Sequence, residues 1–156
     1  MSHPKDSYNG VEIEVTLAPI VEIKNGTTVE CAIVENDAAV LHALSVGISG
    51  DTLSGALYYT GILQHGDVAA GTDMAAVTDA GDYIGTMVDA TTGKFAQVDA
   101  AAEDPAIFYI GYRGTKRYSR ILLTFVGNHS TGTPMEAFAV KTNSRFQGAS
   151  GLLPTA

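Results

Sequence analysis

An all-β chain, a β-sandwich or jelly-roll-like single domain, is predicted by three observations. Apolar and polar residues alternate with period two in several short runs. Turn-forming residues separate those runs, and no stretch carries a convincing helical period. At 156 residues the chain fits one domain and can bury a core without disulfides or metals.

The runs follow in order. Residues 1–10 are polar, hold Pro4, Asn9 and Gly10, and read as a flexible arm. Val11-Glu-Ile-Glu-Val-Thr-Leu17 alternates as a half-buried strand does. Ile20 to Ile23 and Thr28 to Val34 flank Asn25-Gly26, a hairpin signal because both residues tolerate positive φ. Val40 to Ser49 is a nearly continuous apolar run, read as a strand because Gly47, Gly50 and Gly55 punctuate it. Ala56 to His65 follows, with Leu57, Tyr59 and Leu63 on one face. Gly66 to Asp73 reads as a loop, Met74 to Thr78 as a short strand and Asp79 to Asp82 as a turn. Tyr83 to Val88 and Lys94 to Val98 bracket Asp89 to Gly93, a second expected hairpin with Gly93 left-handed. Ala106 to Tyr112, Arg117 to Val126 and Met135 to Val140 complete the strands, with a turn at Asn128 to Pro134. The domain is therefore set at residues 11–145, with residues 146–156 as a flexible C-terminal tail.

Function classes narrow by exclusion. No Gly-x-Ser-x-Gly or P-loop pattern occurs, and the histidines, His3, His42, His65 and His129, fall in no zinc-ligand spacing. His65 beside Asp67 imitates a base and its orienter, but a histidine at a strand end is more often structural. Asp67, Asp73, Asp79 and Asp82 are hard-cation ligands by type, yet fit no EF-hand loop. The expectation is a non-enzymatic protein with no catalytic residue, cofactor or metal. Cys31, in an apolar run, reads as a core residue. No apolar run spans a membrane and no export signal is visible at Met1–Asp6.

Charge is unevenly spread. The net charge of -8 discourages binding to nucleic acid or anionic lipid. Residues 1–112 hold 3 basic and 16 acidic residues, a net of -13, whereas residues 113–156 hold 6 basic and 1 acidic, a net of +5. Arg113, Lys116, Arg117 and Arg120 concentrate that excess and form the candidate interface, for an acidic partner or a second copy of the chain. The alternative is a solvated turn.

Several stretches resemble a family of small structural proteins of tailed bacteriophages and prophages. They are Leu17-Ala-Pro19, Leu63-Gln-His65-Gly-Asp67, Ala76 to Ala80 with Ile84-Gly85, and Tyr109-Ile-Gly-Tyr-Arg-Gly-Thr-Lys-Arg-Tyr118. The last runs into Ile121 to Thr124, Thr131-Gly-Thr-Pro134 and Ala137 to Val140, so the likeness covers about residues 15–142. The chain departs from the family at Lys141-Thr-Asn-Ser-Arg145, where a Gly-His-Pro-like segment is usual, so different C-terminal contacts are expected. The resemblance implies a capsid decoration (cement) protein on the outside of the virion head. It further implies the major capsid protein as partner and a homo-oligomer, by analogy a trimer. An adhesion or carbohydrate-binding module, or a head–tail connector or tail component, are the alternatives.

Overall fold

The computed structural model describes residues 11–23, 28–37, 39–100 and 105–142. Among them there is no helix, and so none long and apolar enough to cross a membrane. Eleven strands form two antiparallel sheets packed face to face, the predicted sandwich.

The first sheet has five strands in the order β1-β11-β4-β9-β7. Its members are β1 (Val11–Ile23), β11 (Thr133–Thr142), β4 (Val40–Val46), β9 (Ala106–Tyr112) and β7 (Tyr83–Ile84). The second sheet is centred on β5 (Tyr58–Gly66) and β10 (Tyr118–Val126), which pair along their whole length from Tyr58↔Val126 to Gly66↔Tyr118. β2 (Val29–Glu30) and β3 (Val34–Glu35) flank β10, while β6 (Ala75–Ala76) and β8 (Lys94–Val98) flank β5.

Between the sheets lies the main core. Leu44, Val46, Ile110, Met135 and Ala137 come from the first sheet. Tyr59, Leu63, Ala96, Ile121 and Leu123 come from the second. Of Leu57, Tyr59 and Leu63, expected on one face, Tyr59 and Leu63 are buried and Leu57 is half-buried, and on the neighbouring β10 Ile121 and Leu123 are buried while Phe125 is half-buried.

Three expectations need correction. The strands around Asn25-Gly26 form no hairpin, because β1 pairs with β11 in one sheet and β2 with β10 in the other. Lys24–Thr27 itself lies outside the described residues. Beyond it the Ala32 N–H donates to the Thr16 carbonyl at 2.7 Å, which joins the stretch after β2 to β1. The Asp89–Gly93 turn forms, with Gly93 at φ +70 and reciprocal Asp89–Lys94 backbone bonds. Its flanks then part, β7 to one sheet and β8 to the other, and β7 stops before Gly85, whose φ is +130.

The third correction concerns β1. Alternation predicts that its apolar residues are the buried ones, but Val11, Ile13 and Val15 are 53%, 66% and 62% exposed. Glu12 and Glu14 take the side shared with Ala139 and His42, where Lys141 Nζ lies 3.6 and 3.5 Å from them. Thr16 keeps that inward side and is buried, and a bulge between Val15 and Leu17 then reverses the phase, so that Leu17 packs against the core. The arm at 1–10 and the tail at 146–156 lie outside the described residues.

Candidate functional site

The basic segment follows β9 and opens β10. Arg113 Nε donates to the Gly81 carbonyl at 2.8 Å. Lys116 Nζ donates to Asp67 Oδ2 at 2.6 Å, and the Arg117 N–H donates to Asp67 Oδ1 at 3.2 Å. These bonds hold the Asp67 carboxyl below the usual carboxylate range and raise the Lys116 ammonium. Arg117 grips Glu35 through Nε and Nη2 at 3.0 and 2.8 Å. Arg120, expected at the surface or an interface, is covered instead. Its side chain is only 9% exposed and takes both Glu30 oxygens, at 2.8 and 2.9 Å, with Nε on Gln64. Gly71 passes beside it, in the loop between β5 and β6, with Ile33 against the same glycine. Each of the candidate cations thus has a partner within the chain.

His42, His65 and His129, the histidines among the described residues, each have a polar partner within the fold. His42 is wholly buried, and its Nε2 lies 2.7 Å from Ser119 Oγ. Ser119 donates onward to Asn36 Oδ1 at 2.6 Å, and Asn36 Nδ2 donates to the Lys116 carbonyl at 3.1 Å. Because Ser119 spends its proton on Asn36, His42 Nε2 carries the N–H and Nδ1 is a bare lone pair. Burial pushes the imidazole down to about 4, so the ring is neutral. His65 does not meet Asp67 as a catalytic pair. Its Nδ1 lies 3.0 Å from the Tyr112 hydroxyl, which also accepts the Lys116 N–H at 3.1 Å. Burial pushes that phenol up to about 12.

The four loop carboxylates are used separately. Asp73 accepts the N–H groups of Asp67 and Val68, and Asp79 that of Gly81. Among the described residues no group of three or more His, Cys, Asp or Glu is placed to hold a metal. Cys31 is buried, and burial raises its thiol to about 12 against the smaller pull of Arg120, so it stays protonated.

Sequence reasoning missed Asp51. This carboxylate accepts the N–H groups of Ser130, Thr131 and Gly132 at 3.1, 2.9 and 2.8 Å, and His129 Nδ1 lies 3.2 Å away. With His129 buried against the Tyr59 ring, the pair fastens the loop before β11 to the loop after β4.

It also missed a surface. Register places Val11, Ile13 and Val15 of β1 on the same face as Phe138 and Val140 of β11. The face continues through Leu41 and Ala43 of β4, Ile107 and Tyr109 of β9, and Ile84 of β7. Ile107, Tyr109 and Ile84 are 65%, 66% and 60% exposed. Glu136 and Ser45 are its polar members at one end. The outer face of the second sheet is different: Arg120, Gln64, Thr60, Thr124, Glu30 and Glu35 sit there. An outward sheet face normally carries the polar half of the alternation. Here β9 and β4 carry apolar residues on the outward side as well as the core side, and Val11, Ile13 and Val15 extend the outward set to the β1 edge. A signal existed in Ala106-Ile-Phe-Tyr-Ile-Gly-Tyr112, where both parities are apolar.

Compared with family models and with curated proteins, the chain matches none.

Proposed function

We propose that this chain is a non-enzymatic structural protein that works by docking on other protein surfaces. In its most specific form it is a decoration protein on the outside of a tailed-phage capsid. The observation that carries the docking role is the outer face of the five-stranded sheet, apolar from β1 to β7 apart from Glu136 and Ser45 at one end. Contiguous apolar surface of that kind marks a contact for another macromolecule. The virion setting rests on the resemblance of the Tyr109–Tyr118, Ile121–Thr124 and Thr131–Val140 segments, which form β9, β10, β11 and the turns between them. The expected partners are the major capsid protein and further copies of the chain, a trimer by analogy.

Localisation tests this reading. Particles from a host encoding the chain are purified and labelled with an antibody to it. Label over the head surface is expected, together with earlier genome loss on heating when the gene is deleted. Absence from purified particles, or label on the tail alone, would refute it.

A further inference from the structure

His129 lies where the turn after β10 meets the loop after β4, and its side chain is fully buried. Both of its ring nitrogens face oxygen. Nδ1 lies 3.2 Å from Asp51 Oδ2, and Nε2 lies 3.0 Å from the Val126 carbonyl oxygen. A carbonyl only accepts hydrogen bonds, so Nε2 has to bring a proton to it. Asp51 is an acceptor too. The Ser130 and Thr131 N–H groups and the Ser130 hydroxyl donate to Oδ1, and the Gly132 N–H donates to Oδ2. So many donors favour the ionised carboxylate, and Nδ1 therefore also brings a proton. A neutral imidazole has one N–H and one lone pair, and would set that lone pair against an oxygen at one of the two contacts. Turning the ring over puts carbon at both positions and loses both bonds. The walls of the site suit a cation as well. The Tyr59 ring lies against the imidazole with centroids 4.1 Å apart and planes tilted by 31°, and Phe125 stands edge-on at 6.4 Å. An aromatic face attracts positive charge. The counter-charge is Asp51, whose side chain is only 2% exposed.

We propose that His129 is a buried imidazolium, protonated on both nitrogens in the folded chain at neutral pH, and that this charge latches the turn after β10 to the loop after β4. The latch also holds the Gly50 N–H on the Gly132 carbonyl at 3.0 Å. The titratable groups facing the ring are Asp51, from the loop after β4, and Tyr59 of β5, while β10 presents Phe125 and the Val126 carbonyl. Burial raises the Tyr59 phenol, so it stays neutral beside the ring. Taking one proton from His129 leaves Asp51 Oδ2 or the Val126 carbonyl against a bare nitrogen. It also leaves the Asp51 charge buried without its counter-charge, which is costly. Because the fold holds the proton, the contribution of the latch is lost as pH rises. That is the reverse of His42, which burial keeps neutral and whose contribution is lost as pH falls. Acid opens the same latch from its other side, by protonating Asp51. The device is independent of the docking role and of the virion setting.

The test uses the full chain, isotope-labelled at its histidine nitrogens, in nuclear magnetic resonance. At about pH 7.5 an ordinary histidine is roughly nine-tenths neutral. The His129 ring, assigned by its proton contacts with Tyr59, is expected to show an N–H on each nitrogen at that pH, whereas His42 shows one. Amide exchange then reads the latch. When pH is raised far enough to remove one of the His129 protons, protection at Thr131 and Gly132 is expected to fall about tenfold or more beyond the intrinsic rise in exchange, while Ile121 and Leu123 in the sheet hold theirs. His129→Gln cannot carry the charge, and should show weak protection at Thr131 and Gly132 already at neutral pH with no further fall. A single N–H on His129 at about pH 7.5 would overturn the proposal. So would protection at Thr131 and Gly132 that outlasts the proton, or a pH response in His129→Gln equal to that of the wild type. The first two readings need no variant, so they decide even if His129→Gln does not fold.

Discussion

His42 shows how a residue can carry chemistry by type and none by placement. Its ring titrates near 4 in the folded chain and near 6.5 when unfolded, with burial as the cause. Between those values the unfolded chain binds the extra proton. Stability therefore falls as pH drops from about 6.5 to 4, by on the order of 3 kcal/mol in total, and is unaffected by this group above that window. Urea midpoints at pH 7, 5.5 and 4.5 should fall in sequence, and His42→Gln should flatten the slope. An unchanged slope would assign the acid sensitivity to other groups. Asp51 also loses its contribution in acid, by a shift in the same direction that has a different cause. Burial raises its pKa, but the bonds from Thr131, Gly132, His129 and Ser130 together outweigh that and hold it low. Its contribution is present above the ordinary carboxylate value and lost as pH falls through the lowered one. Asp51→Ala strands those donors, so a loss of about 3 kcal/mol, or roughly 10 °C in Tm, is expected by calorimetry.

At the scale of elements, local signals were legible where one strand satisfies its own alternation. β5, β9 and β10 are readable from their runs, and the Asp89–Gly93 turn from its glycine. Which strands pair was not legible, because a crossing such as Ile23 to Val29 leaves no mark that a hairpin would not. The phase of β1 escapes for a related reason: alternation tells which residues share a side, not which side faces the core. The basic segment stands out in the sequence but its partners do not, since Glu30, Glu35 and Asp67 are distant along the chain. Two contrasts test these elements by denaturant unfolding. Gly93 has positive φ, and a Cβ there would lie 3.0 Å from the Leu63 and Val77 carbonyl oxygens. Gly93→Ala should cost about 2 kcal/mol or more, whereas Gly55→Ala, with open space around it, should be near neutral. Arg117→Glu, at an exposed pair, should barely move the midpoint of the isolated chain. Arg120→Glu sets a second acid against Glu30 in a covered site, and should lower the midpoint clearly.

At the scale of the whole molecule, two forces compete as the driver of the proposed assembly. The charge asymmetry between residues 1–112 and 113–156 suggests electrostatic docking. In the fold, Lys116, Arg117 and Arg120 are engaged by Asp67, Glu35 and Glu30 of the same chain. Little unpaired positive charge is left on that segment to attract a partner. The apolar sheet face offers the other force, and the two respond oppositely to salt. At 1 M NaCl the screening length is about 3 Å, so a contact between exposed opposite charges weakens steeply. Burial of apolar surface survives that salt, and sulfate strengthens it by being excluded from protein surface. Between like-charged chains, screening also removes the repulsion of a net -8 on each copy. Self-association measured by sedimentation should therefore hold or tighten from about 0.05 to about 1 M NaCl, and tighten further in sodium sulfate. Dissociation with rising NaCl would return the contact to the basic segment and remove the sheet face from it.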